Sequence, residues 1–262
     1  MVSSGTGYQV FFVVLSYHVS VFAACEIARR LVERTFSSTS LAYFFFMELL
    51  CTLNTTIGVY ENSIMIKSYG LWAIVYIIVS VILTAKYNRG AFGSPLPPFE
   101  AFFGGHLSSI KLGLVLFAEL VALYLGYPIA RSIWANTFWM LDEHKASYYS
   151  SNCELAYKAP ILYAFIYEMV NGFLMRTAFL IPGKIKVIAI PAVFISSLMF
   201  AGKFIGSPGI TPILAASRFF GCQPLSPVLF FVIYWMAPLA GWMVSSKVLP
   251  SGKAEKTKEK TN

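Results

Sequence analysis

Long apolar runs separated by short polar connections are the main pattern along this chain. The first run, residues 8–28, is long enough for a helix that crosses a hydrocarbon core of about 30 Å, although the pattern leaves open whether it crosses completely. Arg29, Arg30 and Arg34 follow this run and no basic residue precedes it, which favours an uncleaved helix over a cleaved signal peptide. By the same criteria, further spans are predicted at residues 41–60, 71–85, 111–133, 159–181, 185–204 and 227–248.

Two short segments between the predicted spans repeat each other. Residues 94–104, SPLPPFEAFFG, and residues 211–221, TPILAASRFFG, align without a gap at an offset of 117 residues. Each begins with a hydroxyl residue and a proline and ends with Phe-Phe-Gly, which predicts a short helix capped by Ser94 or by Thr211. Because ten helical residues cover about 15 Å, half of the hydrocarbon core, we expect two half-helices that enter the membrane without crossing it.

The positions of these segments divide the chain into two similar halves. Each half has three predicted spans, with a short helix between the second and the third, and Glu48 and Glu168 are single acids in the first span of their halves. Since three is an odd number, the second half is inverted, and the half-helices are expected to meet N-terminus to N-terminus at the membrane midplane. Thirteen lysines and arginines then lie on the side of residues 29–40 against six on the other, which predicts a cytosolic C-terminus.

Composition agrees with a polytopic membrane protein that forms one domain. The chain has 262 residues, of which 57% are hydrophobic and 12% are charged, whereas soluble domains carry about 25% charged residues. The net charge of +8 comes from basic residues between apolar runs and in the tail, a distribution that argues against nucleic-acid binding. The four cysteines show no metal-binding spacing, and neither a metal nor a cofactor is predicted.

Facing half-helices have a direct consequence for permeation. Each helix N-terminus presents unpaired N–H groups and about half a positive charge. Two such ends raise an electrostatic barrier to cations and protons, whereas small neutral polar molecules can pass. The pattern therefore favours a pore for small neutral solutes.

Six spans, two half-helices with a proline box and one membrane acid in each half resemble the aquaporin, or major intrinsic protein, family. The usual boxes of that family are Asn-Pro-Ala, and here they read Ser94-Pro95-Leu96 (the first box) and Thr211-Pro212-Ile213 (the second box). The resemblance covers about residues 41–250. It is strongest over residues 194–250, which are similar to the divergent superaquaporin branch, whose members are largely intracellular and often carry an extra helix before the core.

The resemblance implies an all-α fold, with residues 8–28 as the extra helix, residues 41–250 as the core and residues 251–262 as a disordered basic tail. It also implies a homotetramer in the lipid bilayer that conducts water, and with it glycerol or hydrogen peroxide, and that is not an enzyme. The alternative is a scaffold of the same fold that conducts poorly. A third hypothesis, an enzyme acting through Glu119 or His106, lacks a companion residue at a useful spacing.

The same resemblance suggests roles for individual residues. Ser94 and Thr211 stand where box asparagines cap the half-helices and donate to the solute, and a hydroxyl can serve both purposes. Leu214 stands in place of an arginine at the outer constriction, which predicts a less polar opening; Arg218, one turn further on, either substitutes for it or faces water. The acids Glu48 and Glu168 resemble loop-anchoring glutamates that accept N–H bonds, with proton transfer as the alternative role.

Three features near the polar ends remain. The run at residues 142–145, DEHK, is expected to be a solvated charge cluster in a long outer loop. Cys153 and Cys222 both fall on the outer side, where a disulfide is allowed but not established. In the tail, Lys258 and Lys260 resemble the dilysine signal that returns membrane proteins to the endoplasmic reticulum, which indicates that compartment or another internal membrane.

Overall fold

The computed structural model describes residues 7–70, 72–150, 153–182 and 185–249. The described residues are 79% helical and contain no strand beyond an isolated bridge between Glu154 and Gln223. The chain is therefore an all-α membrane protein, as its apolar pattern predicts. Within these residues five helices are long and apolar enough to cross a membrane: Tyr8–Thr35, Leu41–Tyr69, Ser109–Thr137, Ile188–Ile205 and Pro227–Val248.

The chain divides into two compact units, Met1–Asn152 and Cys153–Asn262. The described part of the first unit contains α1 (Gly7–Thr35), α2 (Leu41–Tyr69), α3 (Trp72–Lys86), α4 (Leu96–Phe103), α5 (Ser109–Thr137) and α6 (Asp142–Tyr149). The second contains α7 (Ile161–Leu180), α8 (Ile185–Phe200), α9 (Pro212–Phe219), α10 (Pro227–Phe231) and α11 (Ala237–Val248). Two π-helical turns, Ala201–Ile205 and Val232–Met236, extend α8 and join α10 to α11.

The helices of the two units follow the same order of packing. In the first unit, α2 packs against both α5 and α3; in the second, α7 packs against both α11 and α8. The short helix α4 follows α3 in the first unit, and the short helix α9 follows α8 in the second. The first unit adds α1, which packs along α2. This order is the one expected from the internal repeat.

Glycines allow the closest contacts between the long helices. In the first unit, a Cβ added at Gly126 of α5 would lie 2.9 Å from the hydroxyl oxygen of Thr56 in α2. In the second unit, a Cβ at Gly172 would overlap the carbonyl of Pro238, and one at Gly241 would overlap the carbonyl of Met169. Small residues at such contacts let helix backbones approach in a membrane, where packing and polar contacts drive association.

Several predicted ends of the spans are wrong. The first helix continues seven residues past residue 28, because the arginines that mark the end of the apolar run are good helix formers. Helix α2 continues to Tyr69 instead of ending at residue 60. Glu61 ends the apolar run there, yet its side chain is 0% exposed, so the drop in hydropathy marks a buried polar site and not the end of the helix.

Two predicted spans, α3 and α7, are not among the five long apolar helices of the described chain. Helix α3 has 15 residues and reaches only about 22 Å. Helix α7 has 20 residues, but Glu168, Asn171 and Arg176 lower its mean hydropathy, and all three are buried. The polar groups of α7 are enclosed by protein, which is how ionisable residues are usually accommodated at membrane depth.

The charge cluster at residues 142–145 was expected in a solvated loop, and the structure corrects this. These residues begin helix α6, and His144 is 0% exposed, whereas Asp142 and Lys145 are exposed. Acidic residues in a first helical turn favour the helix through its dipole, which explains why a polar run forms one here. The predicted tail with Lys258 and Lys260 lies outside the described residues.

Candidate functional site

A buried carboxylate holds the loop that leads to the first box. Glu48 lies in α2 with 1% of its surface exposed. Its Oε2 accepts the backbone N–H of Phe92 at 2.8 Å, and its Oε1 accepts that of Gly93 at 2.6 Å. Gly93 has a φ of +64° and directly precedes Ser94. The two hydrogen bonds therefore fix the chain immediately before the first box.

The first box does not use its predicted cap. Helix α4 begins at Leu96, and Pro95 occupies the N-cap position with φ −71° and ψ −15° and no side-chain hydrogen bond. The carbonyl of Pro95 accepts from Phe99 at 3.2 Å. The Ser94 hydroxyl is buried and has no partner among the described residues. Capping by Ser94 was predicted and is wrong, because the serine lies one residue too far from the helix start to reach its free N–H groups.

The second box has the predicted cap. Thr211 is extended, with φ −137° and ψ 157°, and its Oγ1 accepts the N–H of Leu214 at 3.3 Å. Pro212 is the first residue of α9, a position at which proline loses no helical hydrogen bond. Ile213 is 1% and Leu214 is 6% exposed. Thr211 thus satisfies one of the orphan N–H groups of α9, and its single hydroxyl proton remains available for another acceptor.

A second buried carboxylate holds the loop before the second box. Glu168 of α7 is 2% exposed, and its Oε1 accepts the N–H of Gly209 at 2.6 Å. A Cβ at Gly209 would lie 2.5 Å from a ring carbon of Tyr234 and 3.1 Å from Glu168 Oε1, so a larger residue would displace one of them. Each unit therefore positions its box loop with a glutamate of its first core helix.

Two tyrosines support the second loop, and sequence reasoning did not identify them. Tyr234 donates its hydroxyl proton to the Ser207 carbonyl at 2.8 Å. Its hydroxyl oxygen lies 2.8 Å from that of Tyr157, so Tyr157 must be the donor between them, since a hydroxyl has one proton. Burial raises the pKa of Tyr157, which keeps this donor protonated. No local pattern in the sequence distinguishes these tyrosines from the other thirteen.

A disulfide ties the start of the second unit to the end of its half-helix. Cys153 bonds to Cys222, which lies three residues after the end of α9, so the pairing that the sequence left open is present. Beside it, Leu155 donates to the Gln223 carbonyl at 2.8 Å, and Lys158 donates to that of Ile205 at 2.8 Å. The segment 153–158 is thus fastened both before and after the second box.

Two further candidate residues lie in different units. Arg218 lies in the last turn of α9, with its guanidinium carbon 4.6 Å from the ring centre of Phe219. Glu119 is fully buried in α5, close to the carboxyl group of Glu48. Within the described residues, no group of three or more His, Cys, Asp or Glu side chains is arranged to hold a metal ion.

The first unit also has a partly open pocket of about 480 Å³ between α1, α2, α3 and the loop before α4. Phe92 and Gly93, the residues held by Glu48, line part of it. A water molecule occupies about 30 Å³ in the liquid, so this volume can hold several. Nine polar residues contribute to its wall and offer hydrogen-bond partners: His18, Asn54, Thr55, Asn62, Tyr76, Ser80, Thr84, Tyr87 and Asn88.

Comparison with known proteins extends over most of the chain. No protein-family model matches it. A Caenorhabditis elegans protein named "Putative aquaporin-10" is 33% identical over 250 residues, which cover 92% of this chain and 89% of the relative. Aquaporin-11 of Milnesium tardigradum is 23% identical over 87% of this chain and 83% of its own. Human aquaporin-11 is 23% identical over 81% of this chain and 79% of its own length.

Proposed function

This chain belongs to the aquaporin family, and on that premise we propose that it is a passive channel for water and for small neutral solutes such as glycerol and hydrogen peroxide. Membership supports a channel in general. The observation that supports the proposal most strongly is the paired construction of the boxes. Each unit contains a half-helix whose entering loop is held by a buried glutamate, Glu48 in one and Glu168 in the other.

The second box offers a chemical reason for neutral solutes. A helix N-terminus carries about half a positive charge, which repels cations and protons and orients polar molecules by their acceptor atoms. Thr211 leaves its hydroxyl proton free to donate to a solute oxygen while its lone pair caps α9. Thr211 offers one hydroxyl donor where the box asparagine of the family offers an amide group. Selection for water by hydrogen bonding is therefore weaker at this box.

Leu214 argues for a broader range of solutes. It stands where the family resemblance expects an arginine, and a leucine supplies neither a fixed charge nor a fork of donors. We therefore propose a less polar constriction that admits glycerol and hydrogen peroxide besides water. In this arrangement, cations are excluded mainly by the positive N-terminal ends of the half-helices and less by a charged side chain at the constriction.

Stopped-flow measurements on proteoliposomes test this proposal. Vesicles with the purified protein should show faster osmotic water flux, and faster flux of at least one of glycerol and hydrogen peroxide, than protein-free vesicles. Replacing Thr211 or Leu214 by tryptophan should reduce these rates. Leu162→Trp is the matched control, because Leu162 is 64% exposed on α7. If no neutral solute crosses faster than in protein-free vesicles, the protein is a poorly conducting scaffold and the channel proposal fails.

Assembly and location complete the proposal. We propose a homotetramer with one pore per subunit, located in the endoplasmic reticulum or another internal membrane with its C-terminus in the cytosol. Native mass spectrometry of the detergent-solubilised protein tests the number of subunits. Replacing Lys258 and Lys260 by serine should move a tagged protein out of the endoplasmic reticulum, whereas an unchanged location would remove the retrieval signal from the proposal.

A further inference from the structure

The loop of residues 87–95, between α3 and α4, is attached to helix α1 through one arginine. Arg89 Nη1 donates to Glu26 Oε2 at 2.6 Å, and Arg89 Nη2 donates to Glu26 Oε1 at 2.7 Å. Arg89 Nε donates to Glu33 Oε1 at 3.0 Å. Glu26 and Glu33 are seven residues apart, so two turns of one face of α1 bind the same guanidinium. Such bidentate ion pairs fix the relative orientation of the two side chains as well as the distance between them.

The conformation of Arg89 depends on this attachment. Its φ is +53°, in the left-handed region that residues with a side chain seldom adopt, and such a conformation persists only where the surroundings enforce it. The hydrogen bonds to Glu26 and Glu33 raise the pKa of Arg89 further above its usual range, so it stays charged at every pH that the protein meets. Glu26 also contacts Arg29 and Arg30 of its own helix, which hold the carboxylate in place.

The other side of the same loop is attached to α2. Phe92 and Gly93 donate their N–H groups to Glu48, three and four residues after Arg89. Asn88 closes a tight turn around Arg89: its Nδ2 donates to the Ala91 carbonyl at 3.0 Å, and its Oδ1 accepts the N–H of Gly90 at 3.1 Å. The residues just before the first box are therefore clamped between a helix of the six-span core and the helix that precedes that core.

We propose that α1 positions the first box: Glu26, acting through Arg89, fixes the loop that presents Ser94, Pro95 and Leu96 and thereby sets the permeation rate at that box. Arg89 and Glu26 are positioning residues in this proposal, and they touch no solute. The part that concerns permeation rests on the proposed channel function. The simpler view is that α1 only anchors the chain in the membrane, and then its contact with Arg89 has no effect on transport.

Hydrogen exchange in the full-length protein tests the clamp without any transport measurement. Glu26→Gln keeps the shape of the side chain and removes its charge. Since 1.4 kcal/mol corresponds to a factor of ten and a hydrogen bond to a charged group contributes at least that much, exchange of the Phe92 and Gly93 amides should accelerate about tenfold. Arg89→Gln also removes the bond to Glu33, so it should accelerate exchange at least as much. The double variant should be no faster than Arg89→Gln alone, because the arginine variant already removes the interaction with Glu26.

Controls separate positioning from general damage to the protein. Arg34 lies in the last turn of α1 and is exposed, so Arg34→Gln removes a charge from the same helix and should leave the exchange of these amides unchanged. Arg89→Lys keeps the charge but loses the planar guanidinium group. The exchange rate of these amides in Arg89→Lys should therefore lie between the rates in the wild type and in Arg89→Gln. Should Arg89→Gln fail to fold, Glu26→Gln alone still decides the result.

Stopped-flow flux through the same variants tests the consequence for transport. In Glu26→Gln the ratio of glycerol to water permeability should change at least twofold, while Arg34→Gln keeps the wild-type ratio. Unchanged amide exchange in Glu26→Gln overturns the proposal whatever the flux. Faster exchange with an unchanged permeability ratio overturns its transport part. If the wild type conducts nothing, the channel function fails, and the exchange data still show whether α1 holds the loop.

Discussion

The two loop-anchoring glutamates should differ in their contribution to stability, and the difference follows from the hydrogen bonds that they accept. Both oxygens of Glu48 accept a backbone N–H, at 2.6 and 2.8 Å, whereas Glu168 accepts the N–H of Gly209 on Oε1 alone in the described structure. A glutamine has one acceptor oxygen. Glu48→Gln therefore leaves one buried N–H facing an NH₂ group, whereas Glu168→Gln can keep its contact through the amide oxygen.

The magnitudes follow from the cost of unpaired buried groups. Leaving a buried donor unsatisfied costs about 1–3 kcal/mol, and weakening a charge-assisted bond to a neutral one costs about 1 kcal/mol more. Glu48→Gln should therefore lower the free energy of unfolding by about 3 kcal/mol, and Glu168→Gln by about 1 kcal/mol. For a chain of this size the corresponding falls in Tm are about 6–12 °C and about 2–4 °C.

Thermal unfolding in detergent micelles, followed by circular dichroism at fixed protein and detergent concentration, measures the two shifts. Glu154→Gln serves as the control, since Glu154 is exposed and should give no shift. A second comparison measures stopped-flow solute flux through the two glutamine variants, because loosening the loop before either box should also change permeation. The Tm shift of Glu48→Gln should exceed both that of Glu168→Gln and that of the control. If it equals either of them, the argument from the number of accepted hydrogen bonds is refuted.

Three further predictions concern contacts within one unit. Cys153→Ser should lower the free energy of unfolding by about 2–4 kcal/mol by opening the disulfide, and a reductant should lower the Tm of the wild type but not of the variant. Gly172→Ala should cost about 1–3 kcal/mol by clashing with α11, whereas Gly113→Ala, where a Cβ meets no atom within 4 Å, should be neutral or stabilising in the same thermal assay. His144→Ala should cost about 3–5 kcal/mol by leaving the Glu61 carboxylate buried without its partner, and replacing both residues by leucine should recover most of this loss.

The last of these predictions concerns a polar cluster that the sequence pattern does not show. Glu61 Oε1 lies 2.7 Å from His144 Nε2, and its Oε2 accepts the indole N–H of Trp134 at 3.0 Å. Thr137 donates its hydroxyl proton to a backbone carbonyl, so His144 Nδ1 donates to Thr137 across 2.7 Å. A proton must then lie between His144 and Glu61. The cluster fastens α6 onto α2 and α5, which explains why a run of charged residues is not a solvated loop.

The fold class followed from local signals along the chain. Apolar runs of 15 to 23 residues predict membrane helices because an unpaired peptide group in hydrocarbon is costly, and helices satisfy those groups internally. Thr211 and Pro212 predict the start of α9 because a cap acts within one turn. The same local rule was wrong at Ser94, where Pro95 takes the N-cap position and the preceding residue, Gly93, is held by Glu48.

The sequence alone thus predicted most of the long apolar helices, the two short helices α4 and α9, and the acid in the first core helix of each half. Only the tertiary structure decided which polar groups meet: Arg89 with Glu26, His144 with Glu61, and Tyr157 with Tyr234. These partners are 63, 83 and 77 residues apart in the chain. Hydrophobic periodicity and capping report on interactions within a turn or two of helix. Contacts at such separations depend on how whole helices pack, and that packing brings α1 to the loop before the first box.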